Sequence, residues 1–167
     1  MSEKLIRIEN PPINRSDHTS FFLFSDELID TFKEKLTHNL ITPNSYPRVI
    51  ELFAGDGPVA ATLSELGWQD FTCADQAVSA HPVAPQNTVW IYLNLLEVIH
   101  RLKNNRDLNE ISDLKHHFDI VTATFSFYND YSRVNSNDLK LLYQFFGREN
   151  AFVFPSVYII DPMHSQV

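Results

Sequence analysis

From residue 48 to residue 160, short apolar segments alternate with segments of helical periodicity. Apolar runs of four to eight residues between turn residues are typical of buried strands, and apolar residues three and four apart are typical of helices. Strands that alternate with helices need crossover connections, which favour parallel pairing. We therefore predict an α/β fold, a Rossmann-like, doubly wound, mostly parallel sheet with helices on both faces.

The predicted strands and helices follow one another closely. We predict strands at residues 48–53, 71–74, 88–93, 118–124 and 151–160, and helices at residues 58–66, 95–103 and 137–146. Pro155 could break the fifth strand. The predicted spatial order, with these strands numbered along the chain, is 3-2-1-4-5. It places a ligand crevice beyond the carboxyl ends of strands one and four, where the order reverses.

Residues 1–47 are predicted to form an N-terminal arm and a helix, and residues 48–167 to form the α/β domain. Residues 4–8 alternate polar and apolar and predict a short edge strand, which Pro11 and Pro12 end. Phe32, Leu36 and Leu40 recur at helical spacing and predict a helix over residues 26–40.

Composition narrows the class of partner. The net charge of −8 argues against nucleic acid, because phosphate binding depends on Lys and Arg. Cys73 is the only cysteine, so the sequence predicts no internal disulfide and no metal site, and a thiol buried in a strand. Since no apolar stretch is long enough to span a bilayer, we expect a soluble, cytoplasmic protein without membrane contacts.

Glycine is scarce, and two of the four glycines lie close together at Gly55 and Gly57. They follow strand one directly and precede a helix. Glycines there let the backbone turn sharply, while the free N–H groups of the helix point at the same place. This turn is predicted to be the centre of a ligand pocket, and a turn that serves chain geometry alone is the alternative.

The segment Val-Ile-Glu51-Leu-Phe-Ala-Gly55-Asp-Gly57 resembles the first motif of the class I S-adenosylmethionine-dependent methyltransferases. The resemblance implies that Glu51 engages the amino group of the cofactor and that Ala54, Gly55 and Asp56 line its methionine portion. Phe53 and Gly57 complete the implied loop. Glu51 also argues against an NAD-dependent oxidoreductase, since a carboxylate there would repel a pyrophosphate.

Asp75 lies twenty residues after Gly55, where the resemblance implies an acid that binds the ribose hydroxyls. Asp75 could instead cap the next turn. Asn94 could contact the adenine or could cap the helix that starts at Leu95, and both alternatives stay open. Gln76, Leu95 and Thr124 complete the implied cofactor site.

The segment around strand four resembles the family's fourth motif but departs from it. Thr124-Phe-Ser-Phe stands where methyltransferases acting on bases or glutamine often have Asn/Asp-Pro-Pro-Tyr/Phe, so a small-molecule or protein substrate is expected. Tyr128 and His81 are the candidates for a catalytic base.

The resemblance covers residues 48–160, and the family's usual last helix and two strands are missing after it. The N-terminal arm, a second copy in a homodimer or a partner chain could cover the sheet edge that this leaves. We therefore expect an S-adenosylmethionine-dependent methyltransferase. The alternative is a catalytically inactive methyltransferase-like domain that serves as a binding or scaffold subunit.

Overall fold

The computed structural model of the chain describes residues 5–14, 26–126, 134–153 and 157–159. The helices are α1 (Asp26–His38), α2 (Pro58–Glu65), α3 (Leu95–Lys103) and α4 (Ser136–Phe146). The strands are β1 (Ile13–Asn14), β2 (Arg48–Leu52), β3 (Asp70–Asp75), β4 (Val78–Ser79), β5 (Val89–Tyr92), β6 (Phe118–Ser126), β7 (Gly147–Val153) and β8 (Val157–Ile159). A 3₁₀ segment, Asn109–Leu114, lies between α3 and β6.

The main sheet confirms the α/β class and is parallel throughout. Five strands follow the order β5-β3-β2-β6-β7, and β8 pairs with β6. When β1 and β4 are included in the numbering, this order differs from the predicted 3-2-1-4-5. The sequence analysis did not include these two-residue strands, which pair with each other. The order along the sheet reverses between β2 and β6.

Helices pack on both faces of the sheet, and neighbouring residues of β2 show the division. The side chain of Val49 lies in a core cluster with α1 and α2, whereas that of Ile50 lies in a cluster with α3, the 3₁₀ segment and α4. Alternation of this kind follows from the period of two in a strand. Both faces are buried, which explains why Val49, Ile50 and Leu52 of β2 are all apolar although they alternate between the two faces.

Local sequence signals explain where the helices start. The Asn94 side chain accepts a hydrogen bond from the Glu97 N–H and caps α3. Asn135 and Asp138 cap α4 reciprocally, each side chain accepting from the other's backbone N–H. Such caps satisfy N–H groups that have no partner inside the helix.

The fifth predicted strand, residues 151–160, is wrong in its limits. Strand β7 begins at Gly147, immediately after α4, and β8 is a separate strand. The pairing with β6 shifts register between Phe118 and Ile120, so that residues 148–151 form a bulge. The polar residues of this bulge, Arg148, Glu149 and Asn150, interrupt the apolar pattern, which is why the sequence placed the start too late.

The N-terminal arm covers a sheet edge, and that edge is β5. Arg7 forms an antiparallel bridge with Leu93. The Ile8 N–H donates to the carbonyl of Tyr92 (2.9 Å), and the Asn94 N–H donates to the carbonyl of Ile6 (2.8 Å). The predicted strand over residues 4–8 is thus reduced to one bridge, whereas β7 lies at the opposite end of the strand order.

An ion network joins the amino ends of β2, β6 and β7. The buried carboxylate of Asp119 accepts from the backbone N–H of Arg48 (2.7 Å) and from the guanidinium groups of Arg48 and Arg148. The Arg148 guanidinium also lies 4.6 Å from the centre of the Tyr46 ring. Burial opposes ionisation, but the hydrogen bonds outweigh it and lower the pKa of Asp119.

Candidate functional site

The turn after β2 passes three times through the left-handed region of backbone conformation. The φ angles are 52° at Phe53, 58° at Gly55 and 83° at Gly57. Glycine accepts such angles without cost, whereas Phe53 pays about 1 kcal/mol or more. The Phe53 side chain is buried in the core, and this packing holds the strained conformation in place.

Glu51 is fully buried and binds the start of α2. Its carboxylate accepts from the backbone N–H of Ala60 (2.8 Å) and of Val59 (3.3 Å). A carboxylate at a helix N-terminus satisfies free N–H groups and interacts favourably with the helix dipole. Glu51 therefore supports the glycine turn from beneath, and its predicted contact with a cofactor stays a prediction.

Asp75, the last residue of β3, reaches the turn. One carboxylate oxygen accepts from the Gly55 N–H (2.6 Å), and the other accepts from the Gln76 N–H (2.7 Å). The structure therefore brings Asp75 and Gly55 into direct contact at the carboxyl edge of the sheet. The contact with Gln76 also matches the alternative, in which Asp75 caps its own turn.

Asp56 connects the turn to the segment that follows Asp75. Its carbonyl accepts from the N–H groups of Val83 (2.8 Å) and Ala84 (3.1 Å), and its carboxylate accepts from the Ser79 hydroxyl. A Cβ atom built on Gly57 would lie 2.5 Å from the Cβ atom of Ala84. Residues 78–84 consequently pack directly on the glycine turn.

Two neighbouring groups report the negative charge at this edge. Burial raises the pKa of the Cys73 thiol well above its ordinary value, and the charges of Glu51 and Asp75 raise it further. Burial and the charge of Asp75 likewise raise the pKa of Tyr92, which pairs with Asp75 in the sheet. Cys73 is buried, as predicted, and its thiol stays protonated at neutral pH.

The remaining predicted cofactor residues have different surroundings. Asn94 caps α3, which was one of its two alternatives, and Leu95 is a buried core residue. Ala54 is fully buried, and its N–H donates to the Ala74 carbonyl. Thr124 lies in β6, and its side chain is outside the part of the chain that the structure describes.

Of the two candidates for a catalytic base, the structure describes His81 alone. His81 is exposed in the segment over the turn, and its backbone N–H donates to the Ser79 hydroxyl (3.2 Å). Tyr128 lies outside the described residues. Both stay predictions.

Sequence reasoning missed two residues beside Asp56 and Asp75. Ser79 belongs to β4, a strand of two residues, so no periodic signal marked it. Tyr92 ends a strand that was predicted, and the parallel register sets it opposite Asp75. Aligning the ends of the predicted strands could have found Tyr92, whereas Ser79 depends on the path of a loop.

A pocket of about 490 Å³ lies at the bulge of β7, away from the glycine turn, and is lined in part by His116, Gln144 and Arg148. The guanidinium of Arg148 already has acceptors within the chain, because it donates to Asp119 and to the carbonyls of Glu149 and Ser45. The turn with Asp75 is therefore the stronger candidate site.

Comparison of the chain with protein-family models, curated proteins and solved structures finds no match. Among the described residues, no helix combines the length and the apolar character needed to cross a membrane.

Proposed function

We propose that the chain has a Rossmann-like fold, binds S-adenosylmethionine at the Gly55–Gly57 turn and is a methyltransferase for a small-molecule or protein substrate. The observation that supports this proposal is the contact between the Asp75 carboxylate and the Gly55 N–H, 2.6 Å apart. It joins the candidate ribose acid and the glycine turn at the carboxyl edge of a parallel sheet. Ligands of such sheets bind at this edge, close to the reversal of strand order.

The chemistry of the donors fits the cofactor. The two oxygens of Asp75 can accept hydrogen bonds from both ribose hydroxyls, and Gly55, which is half-buried between the buried residues Ala54 and Asp56, offers backbone for the methionine portion. Burial raises the pKa of Cys73, and Glu51 and Asp75 raise it further; these two carboxylates create a negative potential, which suits a sulfonium cation better than a pyrophosphate. The same potential disfavours NAD.

When bound, the cofactor would supply an electrophilic methyl group. The chain would contribute mainly orientation, with Asp75 holding the ribose and the turn holding the amino-acid end. Holding two reactants in line can supply several kcal/mol, about 7 or more in favourable cases. Glu51 would act as a positioning residue, since it fixes the start of α2 beneath the turn.

Calorimetric titration of the full chain with S-adenosylmethionine and, separately, with NAD tests the proposal. We expect binding of the first and none of the second. Asp75→Asn should weaken binding at least tenfold, whereas Asp70→Asn, at the exposed start of the same strand, should leave it unchanged. No binding of S-adenosylmethionine at millimolar concentration would refute the proposal, and equal binding by Asp75→Asn would refute the site.

A second candidate function has a specific observation in its favour. Residues 78–84 pack on the glycine turn, with Ala84 against Gly57, so part of the expected ligand surface is in contact with the chain itself. This supports a methyltransferase-like domain that binds a partner and transfers no methyl group. Such a domain would fail to bind S-adenosylmethionine both as the wild type and after the packing at Gly57 is loosened.

A further inference from the structure

We propose that residues 78–84 form a lid over the glycine turn, and that the Ser79–Asp56 hydrogen bond latches it. The lid opens by local unfolding while the sheet stays folded. Its use as a gate for a cofactor rests on the proposed function, whereas its opening does not.

The latch joins the lid to the turn through one residue. The Ser79 hydroxyl donates to the carboxylate of Asp56, which is 3% exposed, and the same hydroxyl accepts from the His81 N–H. A hydrogen bond to a charged acceptor is stronger than a neutral one. Ser79 therefore holds the lid at one end and shapes the bend at His81.

A second fastening lies at the other end of the lid. The N–H groups of Val83 and Ala84 share the carbonyl of Asp56 as acceptor. The methyl group of Ala84 packs over Gly57, where a Cβ atom would approach it to 2.5 Å. The contact is close and small, so a modest outward movement of Ala84 exposes the turn.

The segment has the features of a part that opens by itself. Residues 76–85 are half-buried or exposed, and Pro82 and Pro85 lack the N–H needed for regular hydrogen bonding. Segments with few buried contacts open at lower free energy than core strands. The adjoining strands β3 and β5 pair with each other over four residues and form the stable frame.

Contacts with the N-terminal arm hold one end of the lid. Strand β4 pairs with β1 of the N-terminal arm, and the Val78 N–H donates to the carbonyl of Pro12 (2.8 Å). The arm itself is fastened elsewhere, because the Ile6 N–H donates to the carboxylate of Glu110 (3.0 Å). The start of the lid, Val78 and Ser79, is thus held by the arm, and residues 80–84 are the part that can move outward.

Hydrogen exchange of the full chain, resolved at single amides, tests the lid without any ligand. We expect the amides of Val83 and Ala84 to exchange at least a hundredfold faster than those of β3 and β5. Ser79→Ala should accelerate exchange at Val83 and Ala84 about tenfold, since it removes a hydrogen bond to a carboxylate. The amides of β3 and β5 should not change.

Asn87→Ala is the matched control. Its side chain donates to the carbonyl of Gln69 in the same connection, away from the latch, so exchange at Val83 and Ala84 should be unchanged. If the wild-type amides of Val83 and Ala84 exchange as slowly as those of β3 and β5, the segment opens only on global unfolding and the lid proposal is wrong. The same holds if Ser79→Ala leaves their exchange unaltered.

Titration of the wild type and of Ser79→Ala with S-adenosylmethionine then tests the lid and the proposed function independently. A gate predicts that Ser79→Ala lowers the Kd about tenfold, because the open state is more populated. Equal Kd values in the two chains would overturn the gate. Fast exchange at the lid with no binding by either chain would leave the lid supported and the proposed function refuted.

Discussion

At the amino ends of β2, β6 and β7, Asp119 accepts hydrogen bonds from two guanidinium groups. At the carboxyl ends of β2 and β3, Glu51 and Asp75 accept from backbone N–H groups. A guanidinium carries a full positive charge, whereas an N–H group carries only a partial one. The first arrangement neutralises a carboxylate and ties strands together.

The second arrangement fixes the path of a turn and leaves negative charge where a ligand could use it. Burial is the main cause of the raised pKa values of Cys73 and Tyr92, and the nearby carboxylates raise both further, which agrees with this difference. We therefore assign the amino end mainly to stability and the carboxyl end to the candidate site. The following changes test that division.

The largest effect is expected at the amino end. Asp119→Asn removes the charge that compensates Arg48 and Arg148, and should lower the free energy of unfolding by about 3 kcal/mol. Part of the full cost is screened, since the two arginine side chains are 39% and 29% exposed. Urea denaturation at neutral pH measures it, and a loss below about 0.5 kcal/mol would contradict the structural role.

Acidification should reduce the contribution of Asp119 to stability, and the lowered pKa sets the direction of this change. The folded-state pKa of Asp119 lies below its ordinary value of 3.8, so its contribution is complete above that value and is lost as the pH falls through the folded-state pKa. The stability difference between wild type and Asp119→Asn should shrink in that range. A difference that grows on acidification would contradict the direction of the shift.

A smaller effect is expected at the glycine turn. Gly57→Ala introduces a left-handed alanine and a clash with Ala84, and should cost about 2 kcal/mol. In an Ala84→Gly background the clash is gone, so the penalty should fall to about 1 kcal/mol, the backbone part alone. Equal penalties in both backgrounds would show that Ala84 does not pack on the turn.

Glu51→Gln should cost about 1–2 kcal/mol, because an amide has one oxygen where the carboxylate offers two to the N–H groups of α2. Glu65→Gln, at the exposed far end of the same helix, is the control and should change stability by less than about 0.5 kcal/mol. Similar losses in the two variants would argue against a specific role of Glu51 at the helix start.

The smallest effect concerns the N-terminal arm. Glu110→Gln should weaken the hold on Ile6 and Arg101, and speed amide exchange at Ile6 several-fold at neutral pH. The Ile6 N–H and Arg101 lower the pKa of Glu110, so the difference should vanish as the pH falls through the folded-state pKa. Asp113→Asn, in an exposed pair with Arg7, should leave exchange at Ile6 nearly unchanged.

The elements were predictable where local signals are strong. Strand β2 and the helices α2 and α3 lie within a residue of their predicted limits, because an apolar run marks β2, Pro58 and Gly67 mark α2, and Asn94 marks the start of α3. Strand β7 was misplaced, since a bulge of polar residues hides its first half. Strands β1 and β4 escaped prediction because two residues are too few to carry a period.

The sequence by itself determined the α/β class, the strand-to-helix turn with its glycines, and some of the residues at the carboxyl edge, Asp75 among them. Periodicity and glycine conformation are local properties, so one stretch of chain is enough to read them. Tertiary structure alone decided which groups the carboxylates bind. Glu51 holds a helix start, Asp75 holds Gly55, and Asp56 holds Ser79 twenty-three residues away. Those partners depend on strand register and loop path, which no local pattern specifies.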